Sequence, residues 1–301
     1  MIKFGDQAYD SLITELLNDA VYLEGRSNRG IISTVRQYTE VVVRRILDLE
    51  PNASMTLGKS DVSSALKAIS NNNELLLSAV ENIRVLGNKC THTQELGPIT
   101  DEDVSNIFDC LFDLYAYLFV NFFTKHRFGQ NGEILSSFSI LPPIIRYKTL
   151  KNLYELDPKN LNVIDKYTLA ILKAFDEHEA KAWIMERKEE LVAMSTLTEQ
   201  NIEDIKNKYG QAFALENKLK APNMFDCCMD RIDKVALTIA KNGLLYNDFE
   251  SAMELFNSKG FVSGDTAETN EFNATMQFVY LGRKPKPNDR LDDKESYITI
   301  W

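Results

Sequence analysis

Little in this chain of 301 residues suits metal or redox chemistry, since it holds only 4 cysteines and 3 histidines. Cys90, Cys110, Cys227 and Cys228 fall at no zinc-like spacing, and the adjacent Cys227 and Cys228 are poorly placed for an ordinary structural disulfide. No Gly-rich phosphate loop, Ser-His-Asp arrangement or cysteine redox motif is present. The expectation is a protein of a reducing compartment with no cofactor and no metal site. A basic excess is also missing: 34 Lys+Arg against 44 Asp+Glu give a net charge of −10. Long-range attraction to nucleic acid or an anionic membrane is thereby excluded, so any RNA contact must use a local patch. The N-terminal "MIKFGDQAYDSLITELL" has no apolar run after a basic start, unlike a signal peptide. The most apolar stretch, Ile107 to Phe123, carries Asp109 and Asp113 and is slightly short for a membrane span. A cytoplasmic protein with no membrane association is expected.

What the chain does contain is 44% hydrophobic and 26% charged residues, the profile of a globular protein with a real core. Helical spacing dominates. Tyr9, Leu12, Leu16, Leu17 and Ala20 predict one helix, and Val35, Val42 and Ile46 a second over Ile31 to Leu49. Ser60 is placed to cap a short helix through Ile69, and "SNNN" separates it from a longer one beginning near Glu74. Thr100 and Asp103 form a capping box with Asp in the usual Glu position, ahead of an apolar helix to Phe123. Helices are then predicted at about 144–157, 160–175, 177–194, 199–219, 225–241 and 247–258. "LYELDPKN" resembles the turn of a tetratricopeptide repeat, without a sustained period. Phe272, Ala274, Met276, Phe278 and Tyr280 alternate with mostly polar residues, which predicts a half-buried strand, and "SYITIW" reads likewise. The expected architecture is all-α: a helical bundle at 1–128, a mostly helical, repeat-like domain at 142–258, and a small β-containing tail at 261–301.

One segment, "IRVLGNKCTH" from Ile83 to His92, is unusual for an apolar helix. At 100° per residue Leu76, Val80, Ile83, Gly87 and Cys90 share a narrow core-facing stripe. A glycine there costs about 1 kcal/mol relative to Ala, which is understandable where a neighbouring helix must approach closely. Arg84, Asn88 and His92 follow at i, i+4 and i+8 on a second, outward-drifting stripe. A planar guanidinium, an amide and a group that titrates near neutrality together suit an anion. A plain structural reading stands beside this: Arg84 pairing with Glu81, Asn88 ending the helix in a left-handed conformation, and His92 an exposed helix-end residue.

The Arg-x-x-Gly-Asn-x-x-x-His element, after an early helix "RQYTEVVVRRIL" with Arg36 and Glu40 four apart, resembles the HEPN superfamily. More closely it resembles an uncharacterised restriction- and defence-associated family, over residues 20–125. That resemblance implies a metal-independent endoribonuclease in which two protomers join their motifs at a homodimer interface. It assigns catalysis to Arg84 and His92 with Asn88 as polar partner, although seven residues, Val85 to Thr91, separate the arginine and the histidine. Cleavage without metal needs a base for the 2′-hydroxyl, an acid for the leaving oxygen and donors for the charge on phosphate. One motif supplies one histidine, so a dimer would supply both proton-transfer groups.

Lys125, His126 and Arg127 form the best local basic patch of the first domain, a candidate nucleic-acid contact or a set of helix-capping cations. His178 sits between Glu177 and Glu179 with no second histidine at zincin spacing. The resulting expectation is a toxin or anti-phage ribonuclease whose residues 142–301 engage a protein partner. The competing one is a non-catalytic HEPN dimerisation module serving as adaptor or regulatory subunit of a defence complex.

Overall fold

The computed structural model describes residues 7–51, 53–92 and 96–288, and it is all-helical, with no strand among them. They form two compact units, one running to Asn152 and resumed by Asp248–Asn288, the other Leu153–Asn247. These divisions differ from the boundaries drawn from sequence at 128, 142 and 258.

In the first unit, α1 (Asp10–Leu17) runs into a π turn at Asn18–Tyr22 and is followed by α2 (Asn28–Ile46), α3 (Ser60–Ile69), α4 (Glu74–Thr91) and α5 (Asp101–Lys125). Local chemistry sets the boundaries. The Ser27 side chain accepts from the Gly30 amide to start α2, and Asn73 accepts from Leu76 to start α4. The Thr100–Asp103 capping box is present. Asn71 and Asn72 take positive φ, 52° and 57°, and break the chain between α3 and α4. Ser60 is the first residue of its helix rather than the cap, a position held by Lys59 without a side-chain bond.

The centre of the bundle is the packing of α4 and α5 on each other and on α2. By length and composition α5 is apolar enough to cross a bilayer. Here it is a core helix: Leu114 to Val120 are all buried, and Asp113 accepts from Lys148 at 2.6 Å. Lys148 lies on α7 (Pro143–Leu156), which follows the short α6 (Gly132–Phe138).

The stretch from Phe272 to Tyr280, predicted as a strand, lies in a helix, Ala267–Tyr280. Phe272, Met276 and Tyr280 satisfy a period of two, but they equally lie four apart, and Thr269 and Val279 complete a buried helical stripe. Thr266 caps it by accepting from the Thr269 amide. Phe272 packs against Phe119 and Phe122, and Phe278 stacks on Tyr38, so this stretch belongs to the bundle core rather than to a β appendage. "SYITIW" lies outside the described residues.

Arg283 ties the C-terminal helices to the bundle. Its guanidinium is buried 4.6 Å from the Phe249 ring centroid, bonds Glu250 at 3.3 Å and donates to the Tyr115 hydroxyl at 3.4 Å. Tyr115 in turn donates to Tyr38 at 3.0 Å.

The second unit holds α8 (Leu161–Ala174), α9 (Glu177–Glu186), α10 (Lys188–Val192), α11 (Glu199–Tyr209), α12 (Gln211–Lys220) and α13 (Met224–Asn242). Two helices expected as continuous are split. Gly210, at φ 91°, separates α11 from α12. Arg187 ends α9, its guanidinium 4.5 Å from the Trp183 ring centroid. The chain returns to the first unit through α14 (Phe249–Lys259) and α15 (Ala267–Tyr280).

Candidate functional site

The outward stripe of α4 forms as its spacing requires. Leu76, Val80, Ile83, Gly87 and Cys90 are buried, Arg84 and Asn88 are half-buried, and His92 is exposed. The helix continues through Asn88 to Thr91, so Asn88 does not end it. His92 is the C-cap, with extended backbone (φ −98°, ψ 135°), and its amide donates to the Asn88 carbonyl at 3.1 Å. From Arg84 to His92 the helix rises about 12 Å. A phosphate at His92 is therefore reached by Arg84 only along the length of its side chain.

Gly87 lies against α2. A Cβ at this position would sit 2.3 Å from Cδ and 2.7 Å from Cβ of Arg36, distances no real methyl tolerates. The Arg36 side chain crosses α4 over this gap, and its Nε donates to Asn88 Oδ1 at 3.2 Å while Nη1 pairs with Glu40 at 3.1 Å. Arg36 and Glu40 were legible only as part of the resemblance; the contact of Arg36 with Asn88 was not.

Arg84 is held by Glu81 through two bonds, Nε to Oε2 at 2.7 Å and Nη2 to Oε1 at 2.6 Å. The Glu81 carboxyl is held below its ordinary range by the hydrogen bond from Arg84, a shift that burial partly opposes. On its other side the Arg84 side chain runs along Gly58, where a Cβ would lie 3.1 Å from its Cδ. Near the end of α4, Arg29 donates to the Lys89 carbonyl at 2.6 Å. Arg29 and Arg36 of α2 and Arg84 and Lys89 of α4 thus give these two helices four cations in an acidic chain, with Glu40 and Glu81 paired to two of them.

The second candidate patch is differently placed. Lys125 bonds Glu271 of α15 at 2.6 Å, and His126 Nε2 lies 3.2 Å from the other Glu271 oxygen. Its ring is also packed on Phe122. Arg127 is exposed. Asp101, at the start of α5, accepts from Asn28 beside the end of α4, whereas Lys125 is about 36 Å along the same helix. The two patches therefore do not converge. His178 is exposed and faces Glu179 at 3.8 Å.

Cys90 and Cys228 are buried. Burial first, then the Asp165 carboxylate, pushes the Cys228 thiol up to about 12. Among the described residues no group of three or more His, Cys, Asp or Glu is disposed to hold a metal ion.

No family model, curated protein or solved structure matches the chain.

Proposed function

We propose that this protein is a metal-independent endoribonuclease of the HEPN type, working as a homodimer in the cytoplasm as a toxin or anti-phage effector. The observation that carries this reading is the α4 face, where Arg84, Asn88 and His92 line up on one side of a helix whose Gly87 lets Arg36 reach Asn88.

In this reading His92 removes the 2′-hydroxyl proton of the ribose, and the 2′-oxygen attacks phosphorus. A 2′,3′-cyclic phosphate forms as the bond to the 5′-oxygen breaks, and that oxygen takes a proton from His92 of the partner subunit. Arg84 and Asn88 donate to the phosphate oxygens as charge accumulates on them. The two-turn separation of Arg84 and His92 favours such a shared site over one built within a protomer. Residues 142–301 would contact a protein partner that restrains or triggers the activity, and Lys125, His126 and Arg127 are secondary RNA contacts at most, given the Glu271 pairing.

The test is growth arrest on expression. Wild type is expected to arrest growth and to cleave cellular RNA, while Arg84→Ala and His92→Ala, each with wild-type helicity, do neither. Equal behaviour of all three removes the ribonuclease reading. The two hydrogen bonds that Arg84 donates to Glu81 favour the second reading, a non-catalytic dimerisation module, in which the guanidinium only braces α4. Retained dimerisation with no RNA cleavage would support it.

A further inference from the structure

We infer that Arg36 belongs to the site, as a positioning residue for Asn88 and as a second guanidinium of an anion cradle built from Arg36, Asn88 and Arg84. The inference rests on the reading of the α4 face as the working site, and the ligand it names is a phosphate or phosphodiester oxyanion.

The argument begins with the Asn88 amide. Its oxygen accepts from Arg36 Nε at 3.2 Å, so the amide is turned with its NH2 group away from α2. Without Arg36 the amide could present either end. With it, Asn88 offers two donors to whatever lies beside it, and no acceptor among the described residues takes them up. Arg36 itself spends Nε on Asn88 and Nη1 on Glu40, leaving Nη2 without a partner among the described residues on a side chain 17% exposed. Arg84 spends Nε and Nη2 on Glu81 and leaves Nη1 without a partner among the described residues on a side chain 28% exposed. Each guanidinium is thereby oriented by one carboxylate, with donors left over. Half-buried donors from three residues, two of them guanidinium groups, match the acceptor-only chemistry of an oxyanion.

Gly87 is what permits the arrangement. With a Cβ at 87 the Arg36 side chain could not cross α4, and both the Asn88 contact and the placement of the second guanidinium would be lost. The same residue that costs helix propensity thus creates the cradle.

The experiment uses the full chain with two probes, inorganic pyrophosphate and a short single-stranded RNA. It compares wild type with Asn88→Asp, Arg36→Gln and Arg36→Lys, following thermal unfolding in parallel. Asn88→Asp keeps the acceptor for Arg36 but replaces the donors with a negative charge. It is expected to weaken both probes by about tenfold or more, consistent with loss of a charge-assisted bond, at an unchanged unfolding midpoint. Arg36→Gln should do the same. Arg36→Lys keeps the charge without the planar fork and should fall between them and wild type, a graded rescue that a purely structural role does not produce.

Wild-type affinity for both probes in Asn88→Asp, or no affinity for either in wild type, overturns the inference. Its failure is separable from that of the ribonuclease reading. RNA cleavage that needs His92 and Arg84 but is indifferent to Arg36 and Asn88 removes the cradle alone. Pyrophosphate binding that needs Arg36 and Asn88, in a chain that cleaves no RNA, removes the nuclease and keeps the cradle.

Discussion

The Arg36 side chain lies across Gly87, in space that the Cβ of any other residue would occupy at 2.3 Å from Arg36 Cδ. The contact joins α2 to α4 at the level of the candidate site, and the clashing atoms include Arg36 Cβ at 2.7 Å, which cannot swing aside as a side-chain tip can. Gly87→Ala should therefore destabilise the protein by about 1–3 kcal/mol through overpacking, against a propensity gain of about 1 kcal/mol. In an Arg36→Ala background Cδ and Cγ are gone while Cβ remains, so the same change should be less costly but not free. A double-mutant cycle by denaturant unfolding measures the coupling.

Releasing Arg84 is the complementary experiment. The pair with Glu81 is largely exposed, so Glu81→Gln should change stability by less than about 1 kcal/mol. It should nevertheless strengthen pyrophosphate binding, because the guanidinium then lacks a competing carboxylate. The sign with pH follows from the lowered Glu81 carboxyl: the pair contributes fully above the ordinary glutamate range and is lost as pH falls through the lower folded one. At neutral pH the clamp is fully in place, and a pH titration of binding near neutrality should show no release of Arg84 by Glu81.

Arg283 offers a stability test away from the site. Truncation to Ala leaves Glu250 with one fewer partner and a void beside Phe249, and should cost about 3 kcal/mol. Arg283→Met retains volume against the aromatic rings and should cost clearly less. Urea unfolding of the two variants, compared at one temperature, would reverse the argument if Met proved the worse of the two.

Cys228 should be inert in the folded protein. With its thiol at about 12, the thiolate fraction at pH 8 is on the order of 10⁻⁴. Iodoacetamide followed by mass spectrometry should leave Cys228 unlabelled under native conditions and label it after denaturation. Fast native labelling would mean that α13 opens readily.

Much of the fold was legible because helix signals are local. The Thr100–Asp103 box, the Asn71–Asn72 break and the buried stripe through Gly87 each involve residues within a few positions of one another. The misreading of 272–280 has the same origin. Phe272, Met276 and Tyr280 fit both a period of two and a spacing of four, and only packing on Phe119, Phe122 and Tyr38 separates them. The apparent basic patch at Lys125 and His126 was likewise read without Glu271, which lies 146 positions from Lys125.

By itself, then, the amino-acid order determined the helical class, most helix starts, and the face on which Arg84, Asn88 and His92 lie, because backbone hydrogen bonding and capping reach only a few residues along the chain. Tertiary structure decided who meets whom across that chain. It brought Arg36 to Asn88 from 52 positions away, set Glu271 against His126, and drew Arg283 in to Tyr115. Those pairings depend on how helices pack, and the packing at the site turns on one missing methyl, at Gly87.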